Sequence, residues 1–94
     1  MMQSVVAASI TLTHPHGLHL RVGRDVALAA NRFQAEITAQ NLTRPSPVVD
    51  AKSLLQLMQL QARAGHVLRV QAEGPDAQEA LHALCRIFEE QPNR

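Results

Sequence analysis

The stretch VAASITLTHPHGLHLRVGRDVALAANRF, residues 6–33, changes its hydrophobic period once, and that change decides the first half of the fold. Apolar residues at alternate positions of residues 6–12 predict a half-buried strand. Farther along, apolar residues recur at helical spacing, namely Val22, Val26, Ala29 and Phe33. The connecting residues 13–17 include a proline and a glycine, which favour a loop. We therefore expect a strand, a loop and then a helix that begins near His19.

The start of this helix combines an imidazole with a guanidinium two residues later. The N–H groups of a helix's first turn have no partners within the helix, and the helix dipole adds positive charge there. Arg21 would add a fork of donors that matches a phosphate group. The same positive field disfavours imidazolium, so His19 should be neutral and nucleophilic near neutral pH. These residues predict a phosphoryl acceptor at His19 with Arg21 as its phosphate partner.

Two further segments have the alternation of half-buried strands. Their inward residues are predicted to be Ala35, Ile37 and Ala39 in the first, and Leu68, Val70 and Ala72 in the second. Residues 45–49 could form a short strand, but the two prolines in it lack N–H donors. Such a strand must lie at the edge of a sheet.

Two more helices are predicted in the second half of the chain. One covers residues 51–62, with Asp50 as its N-cap and Gly65 closing it. The last begins with Pro75 in its first turn. Its buried stripe comprises Ala77, Ala80, Leu81, Leu84, Ile87 and Phe88. The order β-α-β-β-α-β-α predicts an α+β fold, with a four-stranded antiparallel sheet and three helices on one face, as one domain over residues 1–94.

The middle helix has more apolar surface than one core-facing stripe needs. Leu57 and Leu60 occupy one side, which we expect to be buried. The adjoining side holds Leu54, Leu55 and Met58, which we expect to be partly exposed and to dock a partner. The alternative is that these are scattered exposed apolar residues, which are normal on protein surfaces.

The composition excludes several classes of protein. A net charge of +1 and 2% aromatic residues argue against binding of nucleic acid. No run of 18 apolar residues exists, and residues 1–12 do not resemble a signal peptide, so we expect no membrane span and a cytoplasmic location. Cys85 is the single cysteine, which excludes an internal disulfide, and its neighbours predict a buried helical position.

Three histidines precede or begin the first helix, in the pattern His14-x-His16-x-x-His19. This cluster could bind zinc or nickel, but a metal site needs three or four converging ligands, and Pro15 lies between the first two. We therefore expect no metal site and no cofactor. His66 and His82 have no partners visible in the sequence and are expected at the surface.

The run Gly17-Leu18-His19-Leu20-Arg21-Val22 resembles the active-site signature of the HPr family of phosphocarriers. A second run, Asp50-Ala51-Lys52-Ser53-Leu54-Leu55, resembles the second signature of that family, and the likeness covers residues 5–90. The resemblance implies the family's open-faced β-sandwich, phosphorylation of His19 on Nδ1 and a phosphate-binding role for Arg21. It places Ser53 where HPr kinase/phosphorylase acts in many Gram-positive bacteria. The departures are Leu20 for a small residue, Val22 for proline and His16 for an Asn or Ser.

The resemblance implies a carrier that is not itself an enzyme. It would receive a phosphoryl group from Enzyme I and pass it to sugar-specific acceptor domains, Enzyme IIA. One alternative is a regulatory module of the same fold that docks partners through the middle helix and is controlled at Ser53; the other is an unrelated ligand-binding α+β domain. Ser53 could instead be an ordinary polar residue of a helix's first turn. The sequence leaves open whether the carrier serves sugar transport or a nitrogen or regulatory branch.

Overall fold

The computed structural model describes residues 4–90, and the order of its elements confirms the predicted β-α-β-β-α-β-α. The elements are β1 Ser4–Thr11, α1 Leu20–Ala30, β2 Glu36–Asn41, β3 Val49–Asp50, α2 Leu54–Met58, β4 Val67–Gly74 and α3 Ala77–Glu89.

The four strands form one antiparallel sheet in the order β1-β4-β2-β3. In its register, Ala72 lies opposite Val6 on one side and Ile37 on the other. The residues predicted to point inward from β2 and β4 are buried, which confirms both strand patterns. β3 lies at an edge, as predicted, but it is limited to Val49–Asp50, so the two prolines precede it. Proline lacks the N–H that a strand residue donates, which agrees with pairing that begins only after Pro47.

The core lies between the sheet and the three helices, and it is almost wholly aliphatic. Its largest fully buried apolar side chains are Ile37, Leu57, Leu60, Leu68, Leu84, Val22, Val26 and Val70. The alternate residues of the strands, such as Ser9, Glu36 and Arg69, are exposed on the other face. This burial pattern confirms the open-faced arrangement with the helices on one side.

The middle helix is much shorter than predicted. Instead of residues 51–62 it covers Leu54–Met58, and its N-cap is Ser53, whose Oγ accepts from Gln56 N at 3.2 Å. The predicted cap, Asp50, belongs to β3. The helix cannot begin earlier because Ala51 N donates to Ile37 O at 2.9 Å, so the chain is still bound to the sheet there. Gly65 does not close this helix but lies in a separate turn at φ +86°.

The last helix begins two residues later than its proline suggested. Pro75 precedes the N-cap Asp76, so it is not a first-turn residue. The Asp76 carboxylate accepts from Gln34 N at 2.9 Å and Ala35 N at 2.8 Å. These backbone donors, that of Gln34 first, lower the pKa of Asp76. Asp76 therefore joins the start of α3 to the residues just before β2.

Cys85 is half-buried rather than buried as predicted. Partial desolvation is the main cause that raises the pKa of its thiol, and the negative charge of Glu89 is the second cause. No helix within residues 4–90 has the length and apolarity to cross a membrane.

Candidate functional site

His19 is the N-cap of α1, at φ −91° and ψ 172°. Its carbonyl accepts the first intrahelical bond, from Gly23 N at 2.9 Å. The N–H groups of residues 20–22 therefore have no acceptor within the helix and can bind an anion. The half-buried imidazole makes no capping bond, and no hydrogen bond within residues 4–90 involves its ring nitrogens. A nitrogen lone pair is thus available where the helix end favours negative charge.

The loop before His19 is held against the segment that follows α2. Leu18 N donates to Ala62 O at 3.0 Å, and Leu12 exchanges backbone hydrogen bonds of 2.9 and 2.7 Å with His66 and Gly65. Gly17 has φ +63°, and a Cβ there would lie 2.5 Å from Ala62 O. Only glycine satisfies both this backbone angle and this close approach without strain. The position of His19 therefore depends on the segment 62–66.

A polar network that the sequence analysis missed supports that segment. Asn41 is 2% exposed, and its Nδ2 lies 3.2 Å from Leu60 O and 3.0 Å from His66 Nδ1. Thr43 N donates to Asn41 Oδ1 at 2.9 Å, which fixes the orientation of the amide. Its signal in the sequence was a polar residue at position 41, where the alternation of β2 continues on the inward side.

His66 is half-buried, so the expectation of a free surface residue was wrong. Its Nδ1 faces two donors, because Arg63 N also lies 3.2 Å away. A nitrogen that faces two N–H groups acts as an acceptor, so the proton of the neutral ring is on Nε2. His66 thereby links the end of β2 to the segment beneath the His19 loop.

Positive charge flanks the start of α1. Arg21 is exposed and lies with Arg24 and Leu20 around a shallow depression. Arg24 was not predicted as a site residue, although its i, i+3 spacing from Arg21 puts both on one face of the helix. Val22, which stands at the family's proline position, is 2% exposed and packs in the core, whereas Leu20 is 63% exposed.

The three histidines of the His14-x-His16-x-x-His19 pattern do come together. Their ring centroids are separated by 5.4 Å (His14 to His16), 4.9 Å (His14 to His19) and 6.3 Å (His16 to His19). His14 is 9% exposed, and its Nδ1 accepts from the backbone N–H of His16 at 3.1 Å. Among the residues that the structure describes, no group of three His, Cys, Asp or Glu side chains is arranged to hold a metal ion.

The pKa of His19 is lowered from 6.5. Desolvation is the largest cause, followed by repulsion from His14, His16 and Arg21, while Asp25 opposes the shift. The sequence predicted this direction from the field of the helix, whereas desolvation of the ring is the leading cause in the structure. His19 is therefore mainly neutral near pH 7, the state in which it can act as a nucleophile.

The apolar side of α2 borders this site. Leu57 and Leu60 are fully buried, Leu55 is 75% exposed, and Leu54 and Met58 are half-buried, which confirms the predicted division of this segment by burial. We call the three outward residues, Leu54, Leu55 and Met58, the α2 patch.

A glycine joins the α2 patch to α1. The ends of the Met58 and Leu54 side chains occupy the space in which a Cβ on Gly23 would lie. Since Gly23 N bonds to His19 O, the patch contacts α1 one helical turn after the backbone of His19.

Comparisons with known proteins agree with this fold. A family model described as the PTS HPr component phosphorylation site matches residues 6–90. The phosphocarrier protein HPr of Xylella fastidiosa is 34% identical, over 89% of this chain and 91% of its own. The multiphosphoryl transfer protein of Haemophilus influenzae is 41% identical over 93% of this chain, which spans only 17% of that longer protein. The crystal structure of a phosphocarrier protein HPr from Bacillus anthracis superposes with a TM-score of 0.80 at 30% identity, over 90% of this chain and 98% of that one.

Proposed function

Because the chain belongs to the HPr family of the phosphotransferase system, we propose that it carries a phosphoryl group on His19 from phospho-Enzyme I to sugar-specific Enzyme IIA domains. The supporting observation is the state of His19. Its lowered pKa keeps the ring neutral, and both ring nitrogens are without hydrogen-bond partners in residues 4–90, at the start of α1. We place the reaction in the cytoplasm and assign it to a single domain over residues 1–94.

In the proposed transfer, the Nδ1 lone pair of His19 forms a P–N bond while the P–N bond to Enzyme I breaks. Phosphoryl transfer needs little from the protein beyond positioning and charge stabilisation. The N–H groups of residues 20–22 supply fixed donors, and the guanidinium of Arg21 supplies a mobile cation. No cofactor is required, and the chain is a reactant in the transfer rather than its catalyst.

The α2 patch is the proposed docking surface for Enzyme I and for acceptor domains. A small number of apolar anchor residues commonly supplies most of the binding energy of an interface. Leu55 has the exposure that such an anchor needs. The nearness of the patch to His19, through Gly23, would let one partner contact both.

Ser53 is the proposed regulatory residue. Its Oγ accepts from Gln56 N at the start of α2, so a phosphate there would lie beside the α2 patch and repel acidic partners. HPr kinase/phosphorylase is the proposed modifying enzyme. A regulatory module that docks partners through α2 without transferring phosphate is the second candidate, and the exposure of Leu55 is the observation that favours it.

Intact mass spectrometry after incubation with phosphoenolpyruvate and a catalytic amount of Enzyme I tests the proposal. We expect one acid-labile phosphoryl group on the wild type, none on His19→Ala, and retained labelling on His14→Ala and His16→Ala. His82→Ala is the control for loss of an exposed imidazole. Undiminished labelling of His19→Ala would refute His19 as the acceptor, and an unlabelled wild type that still binds Enzyme I would favour the regulatory module.

A further inference from the structure

Two imidazoles that the proposed transfer does not use lie next to His19. The ring centroid of His14 is 4.9 Å from that of His19, and the ring of His16 stands edge-on to it at 6.3 Å. Any charge that arrives on His19 therefore acts on two further imidazole rings. The structure gives these two rings different hydrogen bonding.

His14 has a fixed tautomer. Its Nδ1 accepts from His16 N–H at 3.1 Å, so in the neutral ring the proton is on Nε2. Every buried side-chain nitrogen and oxygen of the described residues has a partner, yet Nε2 of His14 makes no hydrogen bond to residues 4–90. The Nε2–H group is therefore open to solvent. A second proton, on Nδ1, would face the N–H of His16 and break the bond that holds the loop.

His16 has no such restriction. It is exposed, and its only hydrogen bond to the described residues is donated by its backbone N–H. Its ring can take up a proton without the loss of any contact in the structure.

We propose that His14 and His16 act as a phosphate-responsive pair, in which phosphorylation of His19 drives protonation of His16 while His14 stays neutral and donates its Nε2–H to the phosphoryl oxygens. This inference rests on the proposed function, because it requires the phosphoryl group on His19. His14 and His16 would thus be further phosphate-binding residues, with a cation that forms only in the loaded state.

The electrostatics favour this assignment. The charged groups that act on His19, besides the two other imidazoles, are Arg21 and Asp25. The segment packed against this loop adds Arg63, whose Cα lies 2.6 Å from the place of a Cβ on Gly17, and His66, whose carbonyl accepts from Leu12 N at 2.9 Å. In the free protein a cationic His14 or His16 opposes a positive charge on His19, so the three rings are coupled. A phosphoryl group puts negative charge on a ring that is neutral in the free protein, and an opposite charge within about 4–6 Å favours the charged form of a neighbour. Arg21 opposes the uptake of a proton, but the phosphoryl oxygens also attract its guanidinium and neutralise part of its effect.

The balance of the step is simple. A P–N bond forms on His19 as the donor's P–N bond breaks, and the proton that His16 binds comes from the solvent. The loaded protein therefore differs from the free protein by one phosphoryl group and by up to one additional proton on His16.

Long-range ¹H–¹⁵N NMR of the imidazoles, near pH 7, tests both roles in one sample. After phosphorylation by phosphoenolpyruvate and Enzyme I, we expect the ring nitrogens of His16 to move to imidazolium shifts. The nitrogens of His14 should keep the Nε2–H pattern, and those of His82, exposed on α3, should not change. A loaded protein with unchanged His16 nitrogens, or with a doubly protonated His14, would overturn this inference alone. Absence of phosphorylation by intact mass would overturn the proposed function as well.

The pH dependence of the transfer equilibrium gives a second test. If His16 had only a structural role, its replacement would not change this pH dependence. Each proton taken up on loading lowers the equilibrium constant by up to about tenfold for each unit rise in pH. Between about pH 7 and pH 8 the wild type should therefore lose loading more steeply than His16→Gln, while His82→Gln should match the wild type. His14→Gln should lower the equilibrium constant without changing the slope. Equal slopes for the wild type and His16→Gln would overturn the inference. Because His16 is exposed, its replacement does not disturb the packing of the core.

Discussion

Truncation of Leu57 should destabilise the protein without affecting its docking surface directly. Its side chain is fully buried beneath α2, so Leu57→Ala removes core contacts and leaves a cavity. Such changes cost about 2–5 kcal/mol of unfolding free energy. For a domain of this size, each 1 kcal/mol lowers Tm by roughly 4–8 °C, so the loss should be at least about 8 °C. The backbone bond from Leu57 N to Ser53 O at 2.9 Å does not involve the side chain, so the helix itself should persist.

Leu55 provides the matched control, two residues away on the same short helix. It is 75% exposed, so Leu55→Glu should change the unfolding free energy by no more than about 0.5 kcal/mol. It should instead raise the KM for phosphoryl transfer from Enzyme I, because a charge replaces an apolar anchor.

Urea and thermal unfolding followed by circular dichroism, together with transfer kinetics at several protein concentrations, measure both effects. If Leu55→Glu unfolds the protein, or transfers with an unchanged KM, the division of α2 into a core side and a docking side is wrong. A Leu57→Ala variant as stable as the wild type would contradict the burial on which that division depends.

Three further predictions concern the site. Arg21→Ala should slow loading of His19 by the equivalent of about 1.5–3 kcal/mol with unchanged unfolding, and normal kinetics would make Arg21 an ordinary surface residue. His66→Ala should slow the loading of His19, because it removes the acceptor that faces Asn41 Nδ2 and Arg63 N. His66→Asn, whose Oδ1 replaces Nδ1, should recover most of the rate. Equal loading rates for His66→Ala and the wild type would exclude a positioning role for His66. The pKa of His19 in the folded protein lies below 6.5, so between pH 6.5 and that pKa His19 binds protons more readily in the unfolded chain. Acidification through this range should therefore lower the free energy of unfolding. An NMR titration midpoint of His19 at or above 6.5 would contradict the shift.

The periodicity of the sequence was sufficient for β1, β2 and β4 and for the order of the elements, but not for the bounds of β3. β2 and β4 bury the residues that alternation assigned to them, because each strand residue faces one side or the other of a single sheet. Element boundaries were less predictable where a long-range contact competes with a local signal. From the local sequence alone, Asp50 resembles the N-cap of α2. Pairing of Val49–Asp50 with β2 keeps Asp50 in a strand, however, and Ser53 is the N-cap instead.

The candidate site divides in the same way. His19 and Arg21 were identifiable because a change of period, an imidazole and a cation coincide within a few residues. The network of Asn41 and His66 was not, since it joins side chains 25 positions apart and no local pattern pairs them.

The sequence by itself therefore determined the class of fold, the candidate nucleophile and the two sides of α2, all of which depend on spacing along the chain. Only the tertiary structure decided the sheet order β1-β4-β2-β3, the length of α2 and the approach of Gly17 to Ala62. It also decided that three histidine rings meet at one helix end, with His14 locked in one tautomer. The physical reason is that these features depend on hydrogen bonds and packing between distant segments, whereas hydrophobic periodicity reports only which face of each segment is buried.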